Sequence, residues 1–542
     1  MSSSVSAEFD PAARRGAGGG RGLLLALAGG GAAALAHPPF GVWPGIFGFA
    51  LIAFSIDRAA PKRPLLSALA RGWAAGFAYL LVGTWWIAEA FFVDAATHAW
   101  QAPLAILFTA GGIGVFWGGA GLVYRVIAPT GGQRVLVFAA VWSLFEWLRG
   151  HVLTGFPWDL PGEAWRAGSA PSQTASLIGA YGMTFVTVAI GAAPLTLSEP
   201  RRPRAAATSL ALAGAALAFL WGFGAIRLAR PEPPDQALRL RVVQPGLAEE
   251  PVWTDAILRK RVDRFMRLTA WPAAKRPDLV IWPEGAMPYS LEEFFSQGSG
   301  PAAALARAMT PGQVLFDGGY RVDETAGRSR YYNSMLVVKR TGDGFQPLGV
   351  YDKYRLVPFG EFLPAPWLFS LIHLTSLVQN GVAFTPGPRP TPMTPLGLPR
   401  MQPLICYEAL FPGFTSSVGG RPDWIVNISD DAWFGRTTGP LQHLNLASYR
   451  AIEEGLPIVR ATPTGVSAIV DARGRVRARL GLGRQGIIDG PLPGRLPPTQ
   501  YSRWHELPFY VFVFVGLAFS LVRRAPGEAD VKQPRLQTSL QR

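Results

Sequence analysis

Long apolar segments recur through the first 230 residues and are then absent until near the C-terminal end. A membrane-spanning helix needs about 20 predominantly apolar residues. Eight segments approach this description, and they lie at residues 22–36, 40–56, 72–93, 103–124, 135–151, 173–197, 207–228 and 507–522. Between Arg230 and Leu507 no window of that length stays apolar. The pattern predicts a multi-span α-helical membrane domain of about eight helices and one soluble domain.

The connections between these segments alternate in charge. The N-terminal tail and every second connection are rich in Arg or Lys, whereas the first and third connections carry neither residue. Because positive residues favour the cytoplasmic side, seven spans place the N-terminus inside and residues 230–506 outside. Segment 22–36 also fits a signal peptide, since it ends in the pattern Ala34-Leu35-Ala36. We expect it to be retained, because the next apolar segment follows almost at once.

The soluble half alternates short apolar runs with helical stretches. Four runs predict buried strands that end in turns, at residues 239–245, 278–285, 403–409 and 423–429. Residues 439–455 have Gly at both ends and predict a helix. Such alternation predicts a layered α/β domain. The expected organisation is an N-terminal cytoplasmic tail, a membrane domain, an extracytoplasmic catalytic domain, a C-terminal span and a cytoplasmic tail, at residues 1–21, 22–229, 238–496, 507–523 and 524–542.

The composition agrees with a membrane protein. Charged residues make up only 16% of the chain and hydrophobic residues 49%, whereas soluble domains carry about 25% charged residues. The formal net charge of +15 is compatible with nucleic acid or with anionic lipid. Since the basic residues lie mostly between apolar segments, we interpret them as topology signals and expect no nucleic-acid partner.

Three polar residues follow strand-like runs and have complementary chemistry. They are Glu284, Lys353 and Cys406, the only cysteine of the chain. Open α/β sheets place ligands beyond their strand ends, so the three side chains can converge. A thiol with a pKa of about 8.5 needs activation, which a nearby carboxylate and ammonium can provide. Taken singly, each residue has an ordinary explanation in packing or solvent exposure.

The sequences around these residues resemble a known family. WPEG (282–285), DKYRLVPFGEFLP (352–364), ICYEALFP (405–412) and NISDDAWFG (427–435) closely resemble the nitrilase superfamily, and specifically its membrane branch, apolipoprotein N-acyltransferase. EWLRGHVLTGFPWD (146–159) is similar to that family's membrane half. The resemblance extends from the first span to the eighth. It implies a nitrilase-like α-β-β-α sandwich in the soluble half.

The resemblance also implies roles for individual residues. Glu284 matches the general base, Lys353 the oxyanion stabiliser and Cys406 the nucleophile. Glu361 and Glu408 match further acidic positions of the active site, for which ordinary salt bridging is the alternative. The remaining expected contributors are the backbone N–H of Tyr407 toward the oxyanion, Trp433 and Phe434 on a loop facing the acyl chain, and Trp85 and Trp86 beside the lipid donor. Core packing and a plain interfacial belt are the respective alternatives for these aromatic residues.

The expected reaction follows from the same resemblance. A fatty acyl group passes from a membrane phospholipid, through a Cys406 thioester, to the N-terminal amine of a diacylglyceryl-cysteine apolipoprotein. The implied setting is the bacterial inner membrane, with a multi-pass monomer whose catalytic domain lies in the periplasm and which needs no cofactor or metal. The closest alternative is a membrane-tethered amidase or nitrilase. A transporter or scaffold is disfavoured, because most charges lie in the connections.

Two segments depart from the family pattern, and one histidine stands apart. QPG (244–246) and RATPTG (460–465) differ from the more usual Asn-containing turns. Both departures lie outside the catalytic segments, so they affect the expected shape of the loops and not the reaction class. His443 is alone on its predicted helix, where we expect it to pack or to face solvent.

Overall fold

The computed structural model describes residues 19–129, 131–325, 327, 329–364, 367, 383–415 and 418–521. The expected C-terminal tail lies outside these residues, as does the N-terminal tail before residue 19. The last two residues of the expected C-terminal span are also outside them.

Helices form almost all of the described chain before residue 230. Five of these described helices are long and apolar enough to cross a membrane, and two shorter apolar helices, Gly19–Leu35 and Trp43–Asp57, accompany them. A third short apolar helix, Leu507–Ala518, lies near the C-terminal end. The helices of this half are α1 (Gly19–Leu35), α2 (Gly48–Asp57), α3 (Pro64–Thr84), α4 (Ala95–His98), α5 (Ala102–Ile127), α6 (Gln133–His151), α7 (Ala175–Ala192) and α8 (Pro203–Ala229). The multi-span helical domain is therefore confirmed, although only five of the eight expected spans meet the length of a full crossing.

Glycines allow these helices to approach closely. A Cβ added at Gly30 of α1 would lie 2.0 Å from the Ala75 carbonyl oxygen of α3. A Cβ added at Gly72 of α3 would lie 2.2 Å from the Trp117 carbonyl oxygen of α5. Small residues at such contacts let helix backbones pack in a setting where lipid gives no hydrophobic drive for association.

A buried ion pair lies inside one span. Arg149 contacts Glu146 one turn earlier on α6, and both side chains are almost fully buried. Arg149 also donates to the carbonyl oxygens of Phe156 (2.6 Å) and Trp158 (2.9 Å). Most charges were expected in connections, and this pair is an exception with a structural purpose. It holds the connection that follows α6.

Two β-sheets form the centre of the soluble half. The strands are β1 (Arg239–Gln244), β2 (Leu279–Ile281), β3 (Val314–Asp323), β4 (Arg330–Arg340), β5 (Phe345–Asp352), β6 (Met401–Ile405), β7 (Trp424–Ile428), β8 (Ile458–Ala461), β9 (Ala468–Val470), β10 (Val476–Arg479) and β11 (Gly486–Pro491). The first sheet has the order β11-β1-β2-β3-β4-β5 and the second the order β10-β9-β8-β7-β6. Each sheet has three parallel strands, β1-β2-β3 and β6-β7-β8, flanked by antiparallel ones.

The two sheets pack face to face, and helices cover their outer faces. Phe316 of the first sheet stacks on Trp424 of the second at 5.9 Å between ring centroids. The helices of this half are α9 (Asp255–Thr269), α10 (Leu291–Phe294), α11 (Gly300–Ala308), α12 (Gly439–Glu454), α13 (Gln500–Trp504) and the apolar α14 (Leu507–Ala518). Helices α9 to α11 share a core with the first sheet and α12 with the second. The expected α-β-β-α sandwich is confirmed.

The predicted strand at 403–409 is too long. The strand ends at Ile405, and Cys406–Leu410 forms a short 3-10 helix. The reason is the backbone of Cys406, whose φ of +49° lies in the left-handed region and cannot continue a strand. The chain therefore turns sharply at this residue.

The soluble half is fixed to the membrane half through α12. Arg450 of α12 forms a buried ion pair with Glu163, at 3.0 Å, in the connection between α6 and α7. The Tyr449 hydroxyl donates to the carbonyl oxygens of Gly162 and Trp165 in the same connection. The connection between α6 and α7 is thus held near its start by Arg149 and further along by α12.

Candidate active site

Two side chains at the ends of first-sheet strands meet directly. Glu284 lies just beyond β2 and Lys353 just beyond β5. The Lys353 ammonium is 3.1 Å from Glu284 Oε1, and both residues are buried. The other Glu284 oxygen accepts from the backbone N–H of Asp430 at 2.6 Å. The carboxylate is therefore held in one orientation from both sides.

A second carboxylate and an amide complete this group. Glu361 Oε1 is 3.0 Å from the Lys353 ammonium. The Asn333 side-chain amide donates to both Glu284 and Glu361, each at 2.6 Å. We refer to Glu284, Asn333, Lys353 and Glu361 as the carboxylate–lysine cluster. Two carboxyl groups share one ammonium in it.

The charge of Lys353 is strongly maintained in this cluster. Burial by itself lowers the pKa of the lysine, but the carboxylates of Glu284 and Glu361 outweigh burial and hold the pKa well above its usual value. Lys353 is therefore a permanent cation at neutral pH. A fixed buried cation can stabilise an oxyanion.

The thiol of Cys406 lies within the field of this cluster. Burial raises the pKa of the Cys406 thiol well above its usual range, and the negative charge of Glu284 raises it further. The charge of Lys353 and a hydrogen bond with the Ser429 hydroxyl act in the opposite direction. The thiol is thus protonated at rest, and its proton must move to a base when it reacts.

Glu408 joins the turn at Cys406 to the loop that carries Lys353. One of its carboxylate oxygens accepts from the backbone N–H groups of Tyr354 and Arg355, and the other accepts from the N–H of Ile405. The Tyr351 hydroxyl donates to it as well, at 2.7 Å. Burial raises the pKa of Glu408 to about 7, although these donors favour the ionised form. Glu408 thus links the loop after β5 of the first sheet to the end of β6 in the second, and we refer to it as the brace between the sheets.

The turn at Cys406 also contacts the membrane half. The hydroxyl of Tyr407, the residue after Cys406, donates to the carbonyl oxygen of Gly155 at 2.6 Å. The Arg355 guanidinium donates to the neighbouring carbonyl of Thr154 at 2.9 Å. Leu153, next along this connection, is 86% exposed. The active-site turn therefore lies against the end of a candidate span.

The four aromatic residues expected near the acyl chain separate into different environments. Trp86 and Phe434 pack together, with 4.4 Å between ring centroids, and Trp86 is buried. Trp86 also donates to the Gln442 side chain of α12. Trp85 is 39% exposed, and Trp433 is half-buried. Trp86 and Phe434 thus join the two halves of the protein by packing against each other.

Sequence reasoning missed Asn333 and assigned His443 no place in the site. Asn333 lies within β4, where a polar residue in an otherwise apolar stretch was the available signal. His443 is fully buried, so it packs, which was one of the two expected alternatives. Its Nε2 also lies 3.2 Å from the carbonyl oxygen of Cys406, a contact that was not expected.

The two departures from the family pattern form one contact. The Gly246 N–H donates to the Pro463 carbonyl oxygen at 2.8 Å. Gly246 has a φ of +63°, which favours glycine at that position. The two loops therefore form one structural unit.

Comparisons with known proteins agree with this architecture. Residues 29–193 match the apolipoprotein N-acyltransferase N-terminal domain, and residues 239–496 match the carbon-nitrogen hydrolase family. An apolipoprotein N-acyltransferase of Caulobacter vibrioides is 48% identical over 91% of this chain and 93% of its own length. The proteins of the same name from Rhodopseudomonas palustris and Bradyrhizobium diazoefficiens are 37% and 38% identical, each over 91% of this chain and 94% and 93% of their own lengths.

Fold and site together define a membrane-embedded enzyme of the carbon-nitrogen hydrolase superfamily. The similarity to curated relatives extends through both halves of the molecule. The chain belongs to the apolipoprotein N-acyltransferase family.

Proposed function

We propose that this protein transfers a fatty acyl group from a membrane phospholipid to the α-amino group of a lipoprotein's N-terminal, diacylglyceryl-modified cysteine. The observation that carries the proposal is the contact of Tyr407 with Gly155, because it docks the nucleophile turn against the end of a candidate span. A phospholipid ester lies at that level of a bilayer. A soluble enzyme would have to extract the lipid, at about 0.8 kcal/mol for each CH₂ removed from the membrane.

The first half-reaction transfers the acyl group to the enzyme. Glu284 takes the thiol proton of Cys406, and the sulfur attacks the ester carbonyl carbon. Lys353 and the backbone N–H of Tyr407 stabilise the oxyanion that forms. The carbon–oxygen bond of the ester then breaks, and the lysophospholipid leaves with the proton held by Glu284. A thioester at Cys406 remains.

The second half-reaction transfers the acyl group to the acceptor. The neutral amine of the lipoprotein attacks the thioester carbonyl, and Glu284 accepts the proton that the nitrogen loses. The carbon–sulfur bond breaks, Cys406 regains a proton and an amide is released. Asn333 and Glu361 hold the two reacting side chains in place throughout. The Asn333 amide donates to Glu284 and to Glu361, and Glu361 accepts from the Lys353 ammonium.

The proposed setting is the bacterial inner membrane, with the catalytic half on the periplasmic side. The alternation of positive charge along the connections supports this orientation. Protease accessibility of residues 238–496 in intact spheroplasts tests it. Cleavage of these residues only after the spheroplast membrane has been permeabilised would contradict this orientation.

Intact-protein mass spectrometry tests the reaction. Purified protein incubated with a defined phospholipid should gain the mass of one acyl group, labile to hydroxylamine. A Cys406→Ala variant should gain nothing, and a diacylated lipopeptide should discharge the adduct. Fatty acid or ammonia released without an adduct would instead favour the amidase or nitrilase alternative.

A further inference from the structure

A second buried cluster contacts Cys406 from the other sheet. Asp431 accepts two hydrogen bonds from Arg460 Nη2, at 2.7 and 2.8 Å, and one from the Ser429 hydroxyl at 2.8 Å. His443 lies beside both, with Nδ1 at 2.9 Å from the Arg460 guanidinium. Asp431, His443 and Arg460 have no exposed surface. We refer to Ser429, Asp431, His443 and Arg460 as the arginine cluster.

The hydrogen bonds require a proton on one nitrogen of His443. A backbone carbonyl only accepts, so the contact of Nε2 with the Cys406 oxygen requires a proton on Nε2. Nδ1 lies between the Arg460 guanidinium, at 2.9 Å, and Asp431 Oδ1, at 3.0 Å. Burial lowers the pKa of His443, and the charge of Arg460 lowers it further. His443 thus donates to the carbonyl of Cys406 while Asp431 and Arg460 hold its other nitrogen.

This bond acts on the oxyanion donor through the geometry of one peptide. The carbonyl of Cys406 and the N–H of Tyr407 belong to the same planar trans peptide group and point in opposite directions. A donor that fixes the carbonyl on one side therefore aims the N–H to the other. Cys406 has a left-handed φ of +49°, a conformation that costs a non-glycine residue free energy and needs support.

We propose that His443, held by Asp431 and Arg460, is a positioning residue that aims the Tyr407 N–H at the oxyanion. The inference rests on the proposed function, since it takes Cys406 as the nucleophile. Ser429 supports this arrangement, because its hydroxyl donates to Asp431 at 2.8 Å. The carboxylate and the guanidinium thereby hold the imidazole, and the imidazole holds the Cys406 carbonyl.

Two amide substitutions that differ by one methylene test the proposal. In His443→Gln the side-chain N–H₂ can still reach the Cys406 carbonyl, whereas in His443→Asn it is too short. We expect the single-turnover rate of acyl-enzyme formation to fall about 100-fold in H443N, as for loss of an oxyanion donor. H443Q should stay within about tenfold of the parent, and the KM for phospholipid should change in neither. Ser448→Ala on the same helix, whose hydroxyl bonds only within α12, is the matched control.

Alkylation of Cys406 by iodoacetamide separates positioning from general loosening. This reaction forms no oxyanion, so the proposal expects an unchanged alkylation rate in H443N. A purely structural role would expose the buried thiol and accelerate alkylation instead. Acylation by H443N at the parental rate, equal losses in H443N and H443Q, or parallel changes in alkylation would each overturn the proposal. A parent protein without any acyl adduct would contradict the proposed function rather than this role.

Discussion

The two charged clusters around Cys406 differ in how their charges are balanced. In the carboxylate–lysine cluster two carboxyl groups share one ammonium, whereas in the arginine cluster one carboxylate is matched by one guanidinium. Burial opposes ionisation of Asp431, but Arg460 and His443 outweigh it and hold the pKa of that carboxyl well below its usual range. The unbalanced cluster contains the proposed base and the proposed oxyanion stabiliser. The proposed role of the balanced cluster is to hold Cys406 and its neighbours in place.

Removing the cation of the unbalanced cluster should have the largest effect. Lys353→Met leaves two buried carboxyl groups facing each other and removes the proposed oxyanion stabiliser. We expect the rate of acyl-enzyme formation, measured by intact-protein mass spectrometry, to fall about a thousandfold or more, as for other members of a catalytic unit. Lys339→Met on β4 is the control, because Lys339 lies away from the cluster. An active K353M protein would show that the ammonium has no part in the chemistry.

Removing the cation of the balanced cluster should affect stability first. Arg460→Met leaves the buried Asp431 carboxylate without its guanidinium partner, which costs about 3–5 kcal/mol in the free energy of unfolding. In a domain of this size that appears as a fall of about 10 °C in Tm. Arg477→Met is the matched control, since its partner Glu232 is 41% exposed and such pairs contribute about 1 kcal/mol or less. Equal Tm values for the two variants would remove the distinction between the clusters.

As the pH falls, Glu408, the brace between the sheets, should gain a proton before Asp431 does. With a pKa of about 7, Glu408 gains a proton below neutral pH and can no longer accept all the N–H groups that place Lys353. We expect the acylation rate to fall as the pH drops through 7. Glu408→Gln should be about tenfold slower at pH 8 and should lack that acidic limb. A limb that persists in E408Q would assign it to another group.

The stability contribution of Glu408 has the opposite sign. Its pKa is higher in the folded protein than its ordinary value of 4.5, so the folded state binds the proton more tightly. The resulting stabilisation is full below about pH 4.5 and is lost as the pH rises through 7. Tm measured at pH 5 and pH 8 should therefore differ less in E408Q than in the parent. Asp431, with a lowered pKa, contributes stability that is lost only in stronger acid.

The smallest expected effect concerns the loop next to the arginine cluster. Pro463→Asn introduces an Asn into this turn and keeps the backbone carbonyl that accepts from Gly246. We expect Tm to fall by the equivalent of about 1 kcal/mol or less, because only the restriction of the unfolded chain is lost. Gly246→Ala should cost more, since its φ is +63°. A large loss of activity in P463N would mean that this departure from the family pattern is tuned to the substrate.

Sequence reasoning predicted the sheets, the spans and the three proposed catalytic residues because each lies in a local pattern. Glu284, Lys353 and Cys406 all follow apolar runs, and apolar runs predict strands. Asn333 and His443 could not be found that way. Their partners are 49 and 37 residues distant in the chain, and only the packing of the sheets and α12 brings them together. Trp86 is likewise of a residue type that is enriched at membrane–water interfaces, yet a contact with Gln442 of α12 buries it.

The distribution of the site over two sheets has a consequence for biosynthesis. The proposed base and cation belong to β2 and β5, whereas the thiol follows β6 of the other sheet. A chain synthesised only as far as β5 carries the base and the cation but no nucleophile. The proposed site is complete only when the two sheets close on each other, because only then do the base and the cation lie beside the thiol. A polypeptide that ends before β6 is therefore expected to form no acyl-enzyme.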